Sequence, residues 1–166
     1  MRLSCLKNII NNAINGIQNI KKQGDNMFQA FASEVYDSEE IMKKLLENPA
    51  VISAADVTKS TGRDDVLAYN LGLDAEEMGI DPKTITDEEL FNDEKVFMKN
   101  MKISDDYVTK MANKLNVKYS SASAFSCKYD TDSENPAVQC VLSIMYIETA
   151  RKKQKDIMKK LCDGIE

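Results

Sequence analysis

The feature that most constrains this chain is an apolar run near its C-terminus, over residues 136–147. Only Gln139 and Ser143 interrupt the run, and in a helix they would lie one above the other because they are four residues apart. A helix that is apolar on every side is normally buried on every side. An asparagine and a proline at the start of the run suit a helix N-terminus. The pattern therefore predicts one long C-terminal helix, over residues 136–162, that begins in the protein core.

The second half of this predicted helix is basic. Residues 151–166 hold six basic and three acidic groups, and residues 1–24 hold four basic groups and no acid. The two ends thus carry +3 and +4, so the rest of the chain must carry −12 to give the total of −5. Basic ends on an acidic body favour contact with neighbouring subunits or with a polyanion, although the helix dipole alone also favours lysines near a helix C-terminus. The basic residues that we expect to contact a neighbour are Arg151, Lys152, Lys153, Lys155, Lys159 and Lys160.

The N-terminal segment has the pattern of an amphipathic helix. Its apolar residues follow alternating steps of three and four, which is the seam spacing of packed helices. Gly24 ends the helix, and its many asparagines are poor helix formers, so the segment needs a partner surface. We divide the chain into an N-terminal helical arm, residues 1–24, and a helical domain, residues 25–166; the alternative is that the arm is simply the first helix of the domain. The arm residues expected at an interface are Leu3, Leu6, Ile10, Ile17 and Ile20.

Helix start signals recur along the middle of the chain. All three prolines, at positions 49, 82 and 136, follow Asn or Asp, which is typical of helix N-termini. Together with the apolar periodicity, these signals predict an all-α fold, a multi-helix bundle. The predicted helices between the arm and the C-terminal helix cover residues 25–36, 39–47, 49–59, 66–71, 82–101 and 105–115.

The stretch from residue 116 to residue 133 is ambiguous. Ala112 and Asn116 have the spacing of a helix-turn-helix, whose second helix would cover residues 119–128. Apolar residues at positions 117, 119, 125, 127 and 129 instead share one parity, which favours a short β-hairpin turning at residues 120–123. The proposed second helix contains no arginine, which argues against the reading of DNA bases.

The composition argues against catalysis. The chain contains no histidine, which removes the commonest general base and the commonest metal ligand. Four cysteines, at positions 5, 127, 140 and 162, lack the spacing of a metal site and are typical of reduced thiols in an intracellular protein. Acidic clusters near residues 74 and 130 lack residues that a calcium loop requires. We therefore predict no catalytic residue, cofactor or metal and, because no apolar run is long enough, no membrane span.

One segment resembles a known family. Residues 135–151 are similar to part of the head–tail connector (adaptor) proteins of tailed bacteriophages, through Pro136, the apolar run after it, and the closing Tyr146, Glu148 and Arg151. The helix predicted before this segment, from residue 104 to residue 115, also resembles theirs, and the likeness covers about the last third of the chain. The resemblance implies an all-helical ring subunit between portal and tail, present in the virion and the host cytoplasm, without catalysis or cofactor.

The function that we expect is that of a non-catalytic structural or assembly subunit that acts by protein–protein contact. Its partners would be other protein subunits, including copies of itself, and not nucleic acid. The most specific form of this expectation is a phage virion component. The first alternative is a small helix-turn-helix regulator that binds DNA, and the second is an acidic helical inhibitor that captures a basic partner.

Overall fold

The computed structural model describes residues 27–165, and these residues form a mixed α/β fold rather than the predicted all-α bundle. The strands are β1 (Phe28–Phe31), β2 (Glu34–Asp37), β3 (Val51–Asp56), β4 (Val66–Asp74), β5 (Ser120–Asp130) and β6 (Ala137–Tyr146). The helices are α1 (Ser38–Leu46), α2 (Lys83–Thr86), α3 (Glu88–Phe91), α4 (Glu94–Asn113) and α5 (Ile147–Asp163), with a 3-10 helix at Thr58–Thr61. Strands β1 and β2 form a hairpin, and the other four form an antiparallel sheet in the order β3-β4-β6-β5.

The apolar run that dominates the sequence is a central strand, not a helix. Strand β6 pairs with β4 on one side and with β5 on the other, and Leu142 stands opposite Tyr69 and Ala124. Other elements pack on both faces of β6, so this strand is buried on both faces and its sequence shows no polar alternation. The helix predicted over residues 136–162 is therefore wrong in its first half. Its second half is α5, which begins directly after β6.

Three more of the predicted helices are wrong. Residues 28–36 lie in the β1–β2 hairpin rather than in the helix predicted over residues 25–36. Residues 49–59 contain β3 and the start of the 3-10 helix, and residues 66–71 lie in β4. The helix predicted over residues 39–47 is confirmed as α1, and the Asp37 carboxylate caps it by accepting a hydrogen bond from the Glu39 N–H at 2.9 Å.

Neither expectation for residues 116–133 is correct. Residues 120–130 form one long strand, β5, so the second helix of a helix-turn-helix is missing. The strand pairs with β6, and the chain turns between them, after Asp130 and before Ala137, rather than at residues 120–123. The alternation seen in the sequence therefore marks a real strand, but its partner lies further along the chain.

The first face of the sheet packs against α1, α4 and the hairpin. Tyr69 is fully buried at its centre, and its hydroxyl donates a hydrogen bond to the Ser38 carbonyl oxygen at 2.9 Å. Ser104, where the sequence predicts the start of a helix, is in the middle of α4. It lies buried within α4, where its hydroxyl oxygen accepts a hydrogen bond from the Ser126 hydroxyl at 2.7 Å. These bonds satisfy polar groups that packing removes from water.

The second face of the sheet packs against α5. Small and medium apolar side chains of β4 and β6, including Val66, Val141 and Met145, meet Ile157 and Leu161 of the helix. All five side chains are buried. Helix α5 therefore lies across the sheet on the side opposite α1 and α4.

Removing the charge of Asp105 is expected to stabilise the fold at neutral pH. Burial raises the pKa of this α4 carboxyl group, although the Ser126 N–H donates a hydrogen bond to it at 2.5 Å. The folded protein thus binds this proton more tightly than the unfolded chain, so the contribution to stability is present below the unfolded pKa of about 3.9 and is lost as pH rises through the folded pKa. Asp105→Asn keeps an acceptor for Ser126 and should raise the melting temperature at neutral pH, with little effect in acid.

Thermal melts at neutral pH and in acid test this expectation. Asp106 is the matched control, because it is the next residue of α4 and its side chain is 59% exposed. Asp106→Asn should leave the pH dependence of the melting temperature unchanged. An equal response of both variants would show that burial of Asp105 does not shape the pH dependence of stability.

Candidate functional site

Helix α5 is too narrow to cover the second face of the sheet. Neighbouring strands are about 4.8 Å apart, so four strands span about 14 Å between their axes and more with their outer edges, whereas a helix with its side chains is about 10 Å wide. A strip of the sheet therefore stays open on each side of the helix. The structure has a depression along each strip, and the two depressions differ in chemistry.

The first depression, which we name the apolar groove, lies between α5 and the outer strand β5. It has a volume of about 510 Å³, and its apolar surface includes Phe125, Met158 and Cys162. Phe125 is 48% exposed although it is a large aromatic residue on a strand. Lys155 and Lys159, one helical turn apart, stand at its rim, and neither makes an ion pair within residues 27–165. The groove thus combines an exposed apolar surface with unpaired positive charge.

The second depression, which we name the polar cavity, lies on the other side of α5. It has a volume of about 580 Å³ and is enclosed by α5, the segment of residues 57–63 and strand β4. Val57, Ile157 and Leu161 provide apolar walls, and Lys153 and Lys160 lie on the helix side. This volume is within the range of small-molecule sites, about 300–1,000 Å³.

A hydrogen-bonded network fixes one wall of the polar cavity. The Arg63 Nε and Nη2 atoms donate to the two carboxylate oxygens of Asp65 at 2.7 and 2.8 Å, and the Thr149 hydroxyl of α5 donates to the same carboxylate. The hydrogen bonds from Arg63 are the main reason that the pKa of Asp65 is lowered, and the same bonds raise the pKa of Arg63. The network therefore ties the first turn of α5 to the start of β4 and holds Arg63 beside the cavity.

The predicted basic contact residues all lie on α5, but the structure divides them. Lys153 and Lys160 face the polar cavity, whereas Lys155 and Lys159 face the apolar groove. Arg151 donates to Glu148 within the helix at 3.0 Å, and Lys152 is exposed. The predicted arm residues Leu3, Leu6, Ile10, Ile17 and Ile20 lie outside the described residues.

Sequence reasoning missed the residues that the sheet contributes to this site. Asn70 of β4 lines the polar cavity, and its Oδ1 atom is buried without a hydrogen-bond partner among residues 27–165. A polar residue in the middle of the apolar run of residues 66–73 was the available signal. Phe125 belongs to the alternating pattern of residues 117–129, and that pattern does not show that its side chain is left exposed.

The described residues offer little for chemistry by a nucleophile or a metal. No group of three Cys, Asp or Glu side chains within residues 27–165 could hold a metal ion. Cys127, Cys140 and Cys162 are free thiols, and burial raises the pKa of each, that of Cys140 to about 12. Thiols with raised pKa values are poor nucleophiles at neutral pH. Within the same part of the chain, no helix has both the length and the apolar character to cross a membrane.

Comparison with known proteins gives no relative to guide the interpretation of this site. No protein-family model, curated protein or solved structure matches the chain.

Proposed function

We propose that this protein is a non-catalytic assembly subunit that acts by protein–protein contact, and that a second copy of the chain occupies its apolar groove. The observation that carries the proposal is the exposed apolar surface of Phe125 and Met158 beside the unpaired Lys155 and Lys159. Exposed apolar surface rimmed by charge is typical of a contact surface, and the charge selects an acidic partner.

The chain itself carries an acidic surface of the required kind. Residues 81–94 contain six acidic residues and one lysine. Asp87 and Asp93 cap α3 and α4, but Glu88 and Glu89 have no ion-pair partner within the described residues. Leu90, directly after them, is 37% exposed. This acidic segment therefore presents an apolar side chain beside two free carboxylates, which complements the apolar groove.

One copy cannot bring these two surfaces together by itself. The acidic segment packs on the first face of the sheet, where Ile85 enters the core and the Phe91 ring lies 5.3 Å from that of Tyr129. The apolar groove is on the second face, beside α5. Contact between them therefore requires a second copy, and the interface joins two different surfaces. Such a head-to-tail contact closes into a ring or continues as a filament.

The expected energies support a weak contact that repetition strengthens. Complete burial of a phenylalanine or leucine side chain contributes about 1.5–3 kcal/mol, and exposed ion pairs contribute up to about 1 kcal/mol each. Translational and rotational entropy opposes association by several kcal/mol. A single contact would therefore be weak and sensitive to salt, whereas a closed ring would add the contacts together.

Light scattering coupled to size exclusion tests the proposal. The wild-type protein should form oligomers in about 0.05 M salt and dissociate in about 0.5 M salt, where the screening length is only a few ångströms. Reversing the rim charges with Lys155→Glu and Lys159→Glu should give a monomer at low salt. Lys110→Glu and Lys114→Glu, an exposed pair with the same spacing at the C-terminal end of α4, should not change the mass. A wild-type monomer under every condition would contradict the proposal.

The more specific form of this proposal is a component of a tailed-phage particle, acting at the head–tail connector in the virion or host cytoplasm. Its support is the resemblance of residues 135–151 to connector proteins. Residues 137–146 form strand β6, so the apolar helix implied by that resemblance is not part of the support. Incorporation into purified phage particles, detected by mass spectrometry, would test this form directly.

The two alternatives have less support. A helix-turn-helix regulator would need a helix over residues 119–128, but residues 120–128 lie in strand β5. An acidic inhibitor could use the acidic segment of residues 81–94, and it would capture a basic partner one to one without self-association. The light-scattering experiment distinguishes that alternative, because an inhibitor would remain a monomer at low salt.

A further inference from the structure

We infer that the polar cavity between α5 and β4 is a binding site for a small organic anion that has an apolar body and a hydrogen-bond donor. This inference is independent of the proposed self-association, which uses the opposite side of α5. It rests on the cationic rim, the apolar walls and the buried, unsatisfied Oδ1 atom of Asn70, a residue that lines the cavity.

The cationic rim supplies charge for an anion. Lys153 and Lys160 are seven residues apart, which is about two helical turns, so they lie on the same side of α5. Neither has an ion-pair partner within residues 27–165, and Arg63 adds a third cation that Asp65 holds in place. Asp156 is the one acidic side chain among the residues that line the cavity. The net positive charge of this rim favours a carboxylate, phosphate or sulfonate group.

Asn70 lines the cavity and carries the acceptor that specifies the other end of the ligand. The Asn70 Oδ1 atom is buried, and no group within residues 27–165 donates a hydrogen bond to it. A buried acceptor without a donor costs about 1–3 kcal/mol, so a native protein seldom leaves one unsatisfied. A ligand N–H or O–H group directed at Asn70 would remove that cost. Val57, Ile157 and Leu161, which also line the cavity, provide contacts for an apolar body.

The cavity also has room for an elongated ligand. A third depression, of about 310 Å³, adjoins the polar cavity and lies over β3, β4 and β6, and Asn70 and Gly164 line both. Its surface includes Gly72 and Ser53. A Cβ atom at position 72 would lie only 2.5 Å from the Ser53 Oγ atom, so glycine keeps the two strands' side chains apart and this surface open.

Anilinonaphthalene sulfonate is a suitable probe, because it combines a sulfonate, two apolar ring systems and one N–H donor. We expect the full-length protein to bind this probe, measured by fluorescence titration. The paired substitutions Lys153→Gln and Lys160→Gln should weaken binding at least about fivefold, since two charge-assisted contacts are lost. The matched substitutions Lys155→Gln and Lys159→Gln, on the opposite side of the same helix, should change the dissociation constant less than about twofold.

Asn70→Leu tests the acceptor separately from folding. It should weaken probe binding about tenfold, while the melting temperature stays equal or rises, because an unsatisfied acceptor is replaced by an apolar group of similar size. Unchanged affinity in Asn70→Leu would overturn the inference. Loss of affinity only in the Lys155 and Lys159 variant would overturn it too, since the probe would then occupy the apolar groove. Absence of probe binding to the wild-type protein would have the same consequence.

Discussion

Replacing Phe31 with alanine is expected to lower the free energy of unfolding by about 3–5 kcal/mol. Phe31 is fully buried at the end of β1, and its ring packs against that of Tyr36 with the centroids 5.5 Å apart. The side chain joins the hairpin to the main core. Since small domains have a total stability of about 5–15 kcal/mol, this single change should remove a large part of it. Chemical denaturation followed by circular dichroism would measure the loss.

Phe28 provides a control of the same residue type on the same strand. Its side chain is 61% exposed, so Phe28→Ala should change the free energy of unfolding by less than about 1 kcal/mol. Similar losses in the two variants would mean that the hairpin does not present Phe31 to the core. Strand β1 would then not be oriented with Phe31 toward the core and Phe28 toward solvent.

Replacing Leu142 with alanine is expected to cost about 2–5 kcal/mol. Leu142 lies at the centre of β6, fully buried and flanked by paired residues of β4 and β5, so the surrounding strands have little freedom to fill the cavity. Leu46, at the end of α1, is 43% exposed and is the matched control. Leu46→Ala should cost less than about 1 kcal/mol.

The same denaturation measurement distinguishes the two leucines. A loss at Leu142 no larger than that at Leu46 would contradict the central position of β6. The two losses are best compared through the denaturation midpoints, because an extrapolated free energy of unfolding carries an uncertainty of about 10–15%.

The parts of the fold that were predictable from the sequence are those that local interactions determine. Helix α1 has an N-cap at Asp37 and inward residues Ile41 and Leu45, so a few neighbouring residues are enough to specify it. The second half of the predicted C-terminal helix was also recognisable, because its apolar stripe repeats at helical spacing beside exposed lysines. Both helices are confirmed as α1 and α5.

The strands depend on partners that are distant in the sequence. An apolar run such as β6 is compatible with a buried helix or a buried strand, and the decision comes from pairing with β4, about 70 residues earlier. In β1 the pattern itself is misleading, because Gln29 is buried while Phe28 is exposed. Because a polar residue is buried and an aromatic residue is exposed, the apolar residues of the hairpin do not alternate as in a strand and instead have the apparent periodicity of a helix.

The candidate site was predictable only in part, for the same reason. The basic residues of α5 were identified from charge alone. Their division into two groups depends on the sheet beneath the helix, where Phe125 of β5 lies on one side and Asn70 of β4 on the other. These residues are far apart in sequence, and no local pattern indicates that a single helix separates them.

Self-association through the apolar groove is tested most directly by combining two opposite charge reversals in one chain. The groove variant carries Lys155→Glu and Lys159→Glu, and the acidic-segment variant carries Glu88→Lys and Glu89→Lys. Each variant alone should be a monomer by light scattering at low salt, whereas the chain with all these substitutions should recover the mass of the wild-type oligomer because the charges are again complementary. A combined variant that remains a monomer, beside an oligomeric wild-type protein, would contradict the proposed pairing of the two surfaces.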